Sequence, residues 1–539
     1  MEKESLNFIE RDIIESVARG QAIITRYPPE PNGYMHIGHA KAFGLDYWMA
    51  KKYGGYTNLR FDDTNPEKED MEYVDAMMLD MKWLGLTWKN LLFASDYYED
   101  LYKMAQTLIK KGLAYVDFQT ADEISKNRGT LTSPGIDSPF RNTGIQENME
   151  LFQKMRDGEF ADGHCVLRAK IDMAHGNMNM RDPVMYRIMR EKHYRTGDTW
   201  CIYPLYDFAH PLSDAFENIS HSICSLEYDD HRIIYDWYIT NCLEMKNPPR
   251  QFEFSRLNIE QTIMSKRYLK KLVDSRVVDG WDDPRMPTIS GMRRRGYPAQ
   301  SIMDFVMSTG VSRTPMTVSL GALEYYVRTH LDKAATRVSV VFNQVKVIIT
   351  NYDKGVEKLE IANNPHDESA GKHEIHFGRE LYIDGDDFAL VPPPKYKRLI
   401  AGGTVRLRGA YIIKCDRVVQ DKKGGISHLE CTYYPESKSG SDTSGIKPDG
   451  TIHFVESSQA VEITVNEFFP LLREGTSLED ENINKDSMVV HKALAEGYIK
   501  NVKLGQPLQF VRKGFYMMDK NSNKDEMIFN MTVGLKEGK

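Results

Sequence analysis

The sequence predicts an α/β core of nucleotide-binding type, interrupted by an inserted domain and followed by a helical segment and β-barrels. Three observations predict this. First, an apolar run, Ala22 to Tyr27, meets a Pro/Gly-rich turn, Pro28 to Gly33, and then a helix-like stretch, Ala40 to Tyr47. An open α/β sheet uses that strand–turn–helix order to build a nucleotide site at the carboxyl ends of its strands. Second, the alternation of strands and helices breaks up between about Asp100 and Gly197 and returns at Tyr203–Phe208 and His221–Ser225. Third, the texture beyond Arg337 is β, in short apolar strands such as Val338–Phe342, Val345–Ile349, Val405–Leu407, Tyr411–Ile413 and Glu462–Val465. Turns such as Lys422–Gly425 separate these strands, which is the pattern of barrels.

The remaining elements follow in order. Tyr56–Phe61 reads as a second parallel strand, ending in Asp62-Asp63-Thr64-Asn65-Pro66. Glu69 to Trp83 carries Val74, Met77, Met78 and Met81 at helical spacing, an amphipathic helix whose methionines fill core. Within the insertion, His164–Lys170 and Val184–Ile188 predict a strand pair. After Met264-Ser265-Lys266-Arg267 the chain reads as helical to about Ala334. Glu436 to Gly450, rich in Ser, Gly, Lys and Asp, predicts a mobile loop.

At 539 residues the chain is too long for one hydrophobic core. The start Met1-Glu2-Lys3-Glu4-Ser5 lacks a basic head and an apolar run, so no secretory signal is predicted, and no apolar stretch reaches membrane-spanning length. The six cysteines are scattered without a CxxC pair, which argues against a disulfide framework and structural zinc and predicts a cytoplasmic protein. A net charge of −7 does not advertise nucleic-acid binding, but a local basic strip suffices for phosphate contacts. Arg293–Arg295, Lys395–Arg398 and Arg406–Arg408 are such strips, and each alone is more often a solvated surface than a binding face.

The chemistry concentrates at Pro28-Pro29-Glu30-Pro31-Asn32-Gly33-Tyr34-Met35-His36-Ile37-Gly38-His39-Ala40. Orphan N–H groups at a helix start attract phosphate, and Gly38 allows a base or phosphate close to the backbone. His36 and His39 fall on one side of the first turn, able to donate to phosphate oxygens as charge grows in a transition state. Half a zinc site is the alternative, but no Cys or His cluster nearby completes a tetrahedron.

This stretch resembles the HIGH signature of class I aminoacyl-tRNA synthetases, and Met264-Ser265-Lys266 resembles their KMSKS loop. Phe61–Pro66, Trp200–Phe208, Ser255–Asn258 and Gly280–Thr288 resemble the glutaminyl members of that family, and the resemblance runs from near Ala22 to near Leu535. It implies a Rossmann-type core in two halves (1–99 and 200–262), an inserted acceptor-end-binding domain (100–199), a KMSKS-like loop with a helical subdomain (263–336) and two anticodon-binding β-barrels (337–539). It further implies that Glu30, Pro31, Asn32, His36, Ile37, Gly38, His39, Ala40, Lys41, Ala42, Ser225, Arg256, Leu257, Met264, Ser265 and Lys266 surround ATP. Of these His36, His39 and Lys266 act on the developing charge, with Mg²⁺ expected on the phosphates and no dedicated protein cage identifiable. Asp62 and Tyr206 match amino-acid-binding positions. Asp230 matches a position near the tRNA acceptor stem, and Arg337, Arg398, Arg408, Gln509 and Arg512 match positions around the anticodon. Leu390–Lys395 departs from the acidic approach of bacterial members.

Arg26, one turn before the signature, either reaches the side-chain oxygen of the substrate or forms a structural ion pair. Glutamine and glutamate are nearly isosteric, and a glutamate site wants a second fixed cation, commonly an arginine at the position matching Cys224 in glutamyl members. Cysteine there favours glutamine. The expected activity is ATP-dependent charging of the 2′-OH of the terminal adenosine of a glutamine tRNA, by a monomer without membrane contact. A β-barrel-type glutamyl enzyme and a non-catalytic tRNA-binding paralogue are the alternatives.

Overall fold

The computed structural model describes residues 6–476 and 482–536. The chain divides into two compact units, residues 1–258 with 306–318, and residues 259–305 with 319–539. The predicted helical segment is therefore shared between units instead of forming one of its own.

The first unit is built on parallel strands. Ile24–Tyr27 pairs with Tyr56–Phe61, which pairs with Leu91–Phe93. His221–Ser225 pairs in parallel with Arg250–Phe254. These two sheets join through Ser220, whose N–H donates to the Ile24 carbonyl at 2.9 Å and whose hydroxyl accepts from the Ile24 N–H at 2.8 Å. The first strand is buried along its whole length, as a strand covered on both faces must be. Strand order reverses between Ile24–Tyr27 and His221–Ser225, so a crevice opens at their carboxyl ends.

The insertion carries a four-stranded antiparallel sheet, Ala114–Asp117, Val166–Ala169, Val184–Ile188 and Ile202–Pro204. The predicted strand pair is its centre. Its last strand comes from residues expected to reopen the α/β core, because Ile202–Pro204 finds its hydrogen-bond partners on Tyr186–Ile188. Helix Tyr98–Lys110 buries Leu101, Tyr102, Ala105, Leu108 and Ile109, the apolar stripe that its 3.6-residue period sets.

The second unit holds helices Lys266–Asp274, Ile289–Arg295 and Leu320–Ala334 and two seven-stranded sheets. One sheet runs from Thr336–Val338 round to Val340–Val341, and the other from Thr451–Ile452 round to Phe454–Glu456. In each case the first and last strands are neighbours in sequence, separated by Ser339 or His453, so each sheet must curl back on itself. That is barrel geometry. Leu429, Cys431 and Tyr433 alternate inward along Ile426–Tyr434, the two-residue period of a half-buried strand.

Two expectations change here. The loop Glu436–Gly450 is tied to its barrel, with Arg406 donating to the Ser437 carbonyl at 2.7 Å and paired with Asp442. The basic strip Arg293–Arg295 also serves the fold. Arg294 pairs with Asp519 at 2.9 Å, and Arg295 donates to the carbonyls of Met531 and Thr532. Charges placed on a helix that docks against a barrel find carboxylates and carbonyls before they find solvent.

Gly55 opens the turn into the second strand. A Cβ there would fall on the Ile23 carbonyl, which accepts from the Tyr56 N–H at 3.1 Å. Gly55→Ala is expected to lower unfolding stability of the first unit by about 2–4 kcal/mol through this backbone clash. Thermal or urea unfolding measures it, and an unchanged midpoint would contradict this packing.

Candidate active site

The chain leaves the first strand at Tyr27 and enters helix Ile37–Lys52 with His36 as its N-cap, in extended conformation at φ −114° and ψ 172°. The Gly38 N–H donates to His36 Nδ1 at 3.1 Å, and the His36 N–H donates to His39 Nδ1 at 3.0 Å. Orphan amides of the helix start are thus satisfied by a capping box made of two imidazoles, whose ring centroids lie 3.8 Å apart. Because each Nδ1 accepts, each neutral ring carries its proton on Nε2, the atom suited to donate to an anion. Ile37 and Ala40 are buried and anchor this turn, while Gly38 and Ala42 are half-buried. Lys41 is buried, burial lowers its pKa, and no carboxylate pairs with it among the described residues.

Two backbone bonds clamp the signature loop to the next strand's end. The Asp62 N–H donates to the Pro29 carbonyl at 3.0 Å and the Asp70 N–H to the Pro31 carbonyl at 3.1 Å. Asn32 donates to Glu30 at 2.7 Å on the exposed side.

Beside this loop lies a pocket floor of buried charge. Asp62, directly after the second strand, accepts from Arg60 Nε at 2.7 Å and from His210 Nδ1 at 2.8 Å. Burial alone would raise its carboxyl, but Arg60 and His210 outweigh that and hold it below the usual range, leaving it anionic. Tyr206, at the start of helix Tyr206–Phe216, stacks on His210 at 4.7 Å and on Tyr228 at 5.1 Å. Burial, together with Tyr228, Cys224 and Asp62 nearby, raises the Tyr206 phenol and keeps it protonated. Burial likewise pushes the Cys224 thiol up, so this strand-end residue is neutral.

Arg26 takes the ion-pair alternative. Its side chain is wholly buried, donates from Nε and Nη2 to Asp214 at 2.9 Å each, and from Nη1 to the Ile223 carbonyl at 3.1 Å. The unliganded geometry offers a substrate no exposed atom of Arg26.

Ser225 ends the returning strand, half-buried, and Leu257 is buried nearby in sequence to Arg256, which is exposed and paired with Glu227. Asp230 is exposed, and its carbonyl accepts from Asn177 at 2.7 Å and Asn179 at 3.2 Å of the inserted segment. Met264, Ser265 and Lys266 belong to the second unit, where Ser265 is the N-cap of helix Lys266–Asp274.

Comparison with known proteins agrees with this arrangement. The family described as tRNA synthetases class I (E and Q), catalytic domain, matches residues 22–333, and the anti-codon binding domains of the same group match 335–434 and 451–519. A glutamine–tRNA ligase of Clostridium kluyveri is 51% identical over 94% of this chain and 93% of its own length. That of Bradyrhizobium diazoefficiens is 48% identical over 98% and 96%. The chain belongs to the glutamine–tRNA ligases of class I. Among solved structures, a glutamate tRNA ligase from Elizabethkingia meningosepticum in complex with its amino acid aligns with a TM-score of 0.44 and 16% identity, covering 58% of this chain and 70% of that one.

In the ligase's second unit, Arg398 and Arg512 converge on Asp387, Arg398 at 2.5 Å. Together with Asp386, Tyr396 and Lys513 they line a cleft of about 440 Å³. Arg512 sits at φ 66° and also donates to His453 Nδ1 at 3.0 Å. Arg408 is half-buried near Glu496, with Nη1 lacking a hydrogen-bond partner. Gln509 is half-buried opposite Arg337. Arg337 itself departs from expectation. It is 4% exposed, and its guanidinium closes the end of helix Leu320–Ala334 by donating to the carbonyls of Ala335 and Asp332 at 2.8 Å and to the Asp332 carboxylate at 2.7 Å. Helix carbonyls without partners compete for a nearby cation.

Sequence reasoning missed Arg60, His210, Asp214, Ser222 and Tyr235. The one available signal is His210 and Asp214, spaced i,i+4 on a helix that is mostly buried, where unpaired polar groups are costly.

His39→Ala removes both an Nε2 donor and the bond that fixes His36. It is expected to slow adenylate formation about a hundred-fold or more, with tRNA affinity and the melting temperature nearly kept. Pyrophosphate exchange in saturating tRNA and a filter-binding assay measure this. A selective loss of tRNA binding would place His39 elsewhere in function.

Proposed function

We propose that the ligase performs both its reactions in the crevice at the ends of Ile24–Tyr27 and His221–Ser225. The substrate carboxylate attacks the α-phosphate of ATP, pyrophosphate leaves, and the terminal adenosine 2′-OH then attacks the adenylate carbonyl to release AMP. The observation that carries this reading is the reciprocal histidine cap. His36 and His39 have Nε2 donors set at a helix start, and the same helix turn carries buried Lys41, which has no carboxylate partner among the described residues. An unpaired buried cation is costly and fits a site that takes phosphate. The charge-stabilising donors act by position, without giving or taking a proton. Mg²⁺ would stabilise the phosphate charge when bound. Among the described residues no group of three His, Cys, Asp or Glu side chains could hold a metal ion, so an ion carried on the ATP phosphates fits better than a protein cage.

Asp62, anionic with a lone pair left on each oxygen, suits the α-ammonium of the amino acid. The phenol of Tyr206 suits the side-chain amide, and neutral Cys224 leaves that end of the pocket without a cation for a γ-carboxylate. Arg398, Arg408, Gln509 and Arg512 fit splayed-out anticodon bases, and the unpartnered Arg408 Nη1 fits a base acceptor.

Charging of glutamine tRNA with glutamine and glutamate side by side tests the reading, and equal charging by both would overturn it. Cys224→Arg places an always-charged guanidinium there, penalising glutamine by about 2–4 kcal/mol, so the kcat/KM ratio is expected to move toward glutamate. Arg512→Ala is expected to cost roughly 1–3 kcal/mol in kcat/KM for tRNA. Glutamine KM in saturating tRNA should hold, and a loss confined to that KM would contradict the assignment.

A further inference from the structure

Asp214 stands apart from every residue so far given a role, yet it holds the pocket floor together. Its carboxylate accepts from Arg26 at 2.9 Å through both oxygens, from Arg60 Nη1 at 2.7 Å and from the Tyr235 hydroxyl at 2.9 Å. The side chains of Asp214, Arg26 and Arg60 are all 0% exposed. Burial would raise the Asp214 carboxyl, but Arg26, His210 and Arg60 hold it well below the usual carboxylate range. Nearby, Arg26 Nη2 also donates to Ser222 Oγ at 2.5 Å and to His210 Nε2 at 2.6 Å, while Nη1 donates to the carbonyl of Ile223, the residue before Cys224. His210, kept neutral by burial, spends its Nδ1 proton on Asp62.

Two buried cations, Arg26 and Arg60, are therefore balanced chiefly by Asp214 and Asp62, because burial keeps Asp46 near Arg26 protonated and raises Glu217, 3.3 Å from Arg60, to about 7. Asp62 is the one that faces the substrate ammonium, so the compensation of Arg26 rests on Asp214. Without it Arg26 would be a buried guanidinium near Cys224, lacking its ion-pair partner and two of its acceptors, with the buried carboxyl of Asp46 as the remaining acid in its field. A buried unpaired cation attracts whichever ligand supplies a carboxylate. Glutamate supplies one at its γ-position and glutamine does not.

We propose that Asp214 is a specificity-determining residue, which discharges Arg26 and so keeps the pocket selective for the neutral amide of glutamine against the carboxylate of glutamate. It acts through Arg26 and is a positioning residue, not a catalytic one. The proposal rests on the glutamine reading above and adds which group enforces it.

The test compares wild type, Asp214→Asn and Arg26→Gln in the full chain with saturating tRNA, reading kcat/KM for glutamine and for glutamate. Asp214→Asn keeps the shape and leaves Arg26 unpaired, so the glutamine-to-glutamate ratio should fall about ten-fold or more. Arg26→Gln leaves the negative charge in surplus, so the ratio should stay at the wild-type value or rise. Opposite behaviour of the two partners is a signature that a merely structural ion pair would not give. Arg26→Gln also decides the matter if Asp214→Asn cannot be purified folded, because a falling ratio in that variant overturns the proposal. An unchanged ratio in folded Asp214→Asn, or equal losses with both amino acids, overturns it as well. Failure of the wild type to prefer glutamine would instead remove the reading beneath it.

Discussion

A single buried carboxylate organises the catalytic unit. Asp214 reaches from helix Tyr206–Phe216 to Arg26 on the first strand and to Arg60 on the second, and so ties the two halves of the α/β core across the insertion. Two guanidiniums under a sheet could not be accommodated without it, and removing one partner of such a buried network costs about 3–5 kcal/mol. The same network fixes the pocket. Arg60 and His210 orient Asp62, His210 supports the ring of Tyr206, and Arg26 braces the strand that carries Cys224. The placement of Asp62, Tyr206 and Cys224 thus descends from one buried ion cluster.

The signature loop works on a smaller scale but by similar economy. His36 and His39 satisfy helix-terminal amides with Nδ1, and in doing so set the tautomer that leaves Nε2 as donor. Capping therefore uses only one side of each ring. The loop is held in place by backbone bonds from Asp62 and Asp70, so the histidine cap and Asp62 are built on adjoining strand ends.

In the barrels, closure explains where charge ends up. His453 separates the first and last strands of one barrel and spans to the other, with its Nε2 2.8 Å from the Val340 carbonyl and its Nδ1 accepting from Arg512. Arg398 and Arg512 are already paired with Asp387, and Lys513 with Asp384 and Asp386. These carboxylates neutralise the cations of the cleft, so bulk attraction of a polyanion is weak there, in keeping with a net charge of −7.

The histidine signature, the parallel strands at Ile24–Tyr27 and Tyr56–Phe61, the inserted strand pair and the barrel texture were legible because each is written in residues close together in the chain. Capping needs neighbours three apart, and strands and helices declare themselves by period. Asp62, Tyr206 and Cys224 were singled out through resemblance, and the structure brings them close enough for Asp62 and Cys224 to act on the Tyr206 phenol. What the sequence could not decide was the partner of each buried or docked charge. Arg26 meets Asp214 across 188 positions, Arg294 meets Asp519 across 225, and Arg337 turns into its own helix end instead of outward. Nor could it assign Ile202–Pro204 to the inserted sheet, since an edge strand joins whichever neighbour offers unpaired backbone groups. Local hydrogen bonding and hydrophobic period are determined by sequence alone. Charge pairing and strand partnership depend on which distant segments packing brings within about 3 Å, and only the tertiary structure decides that.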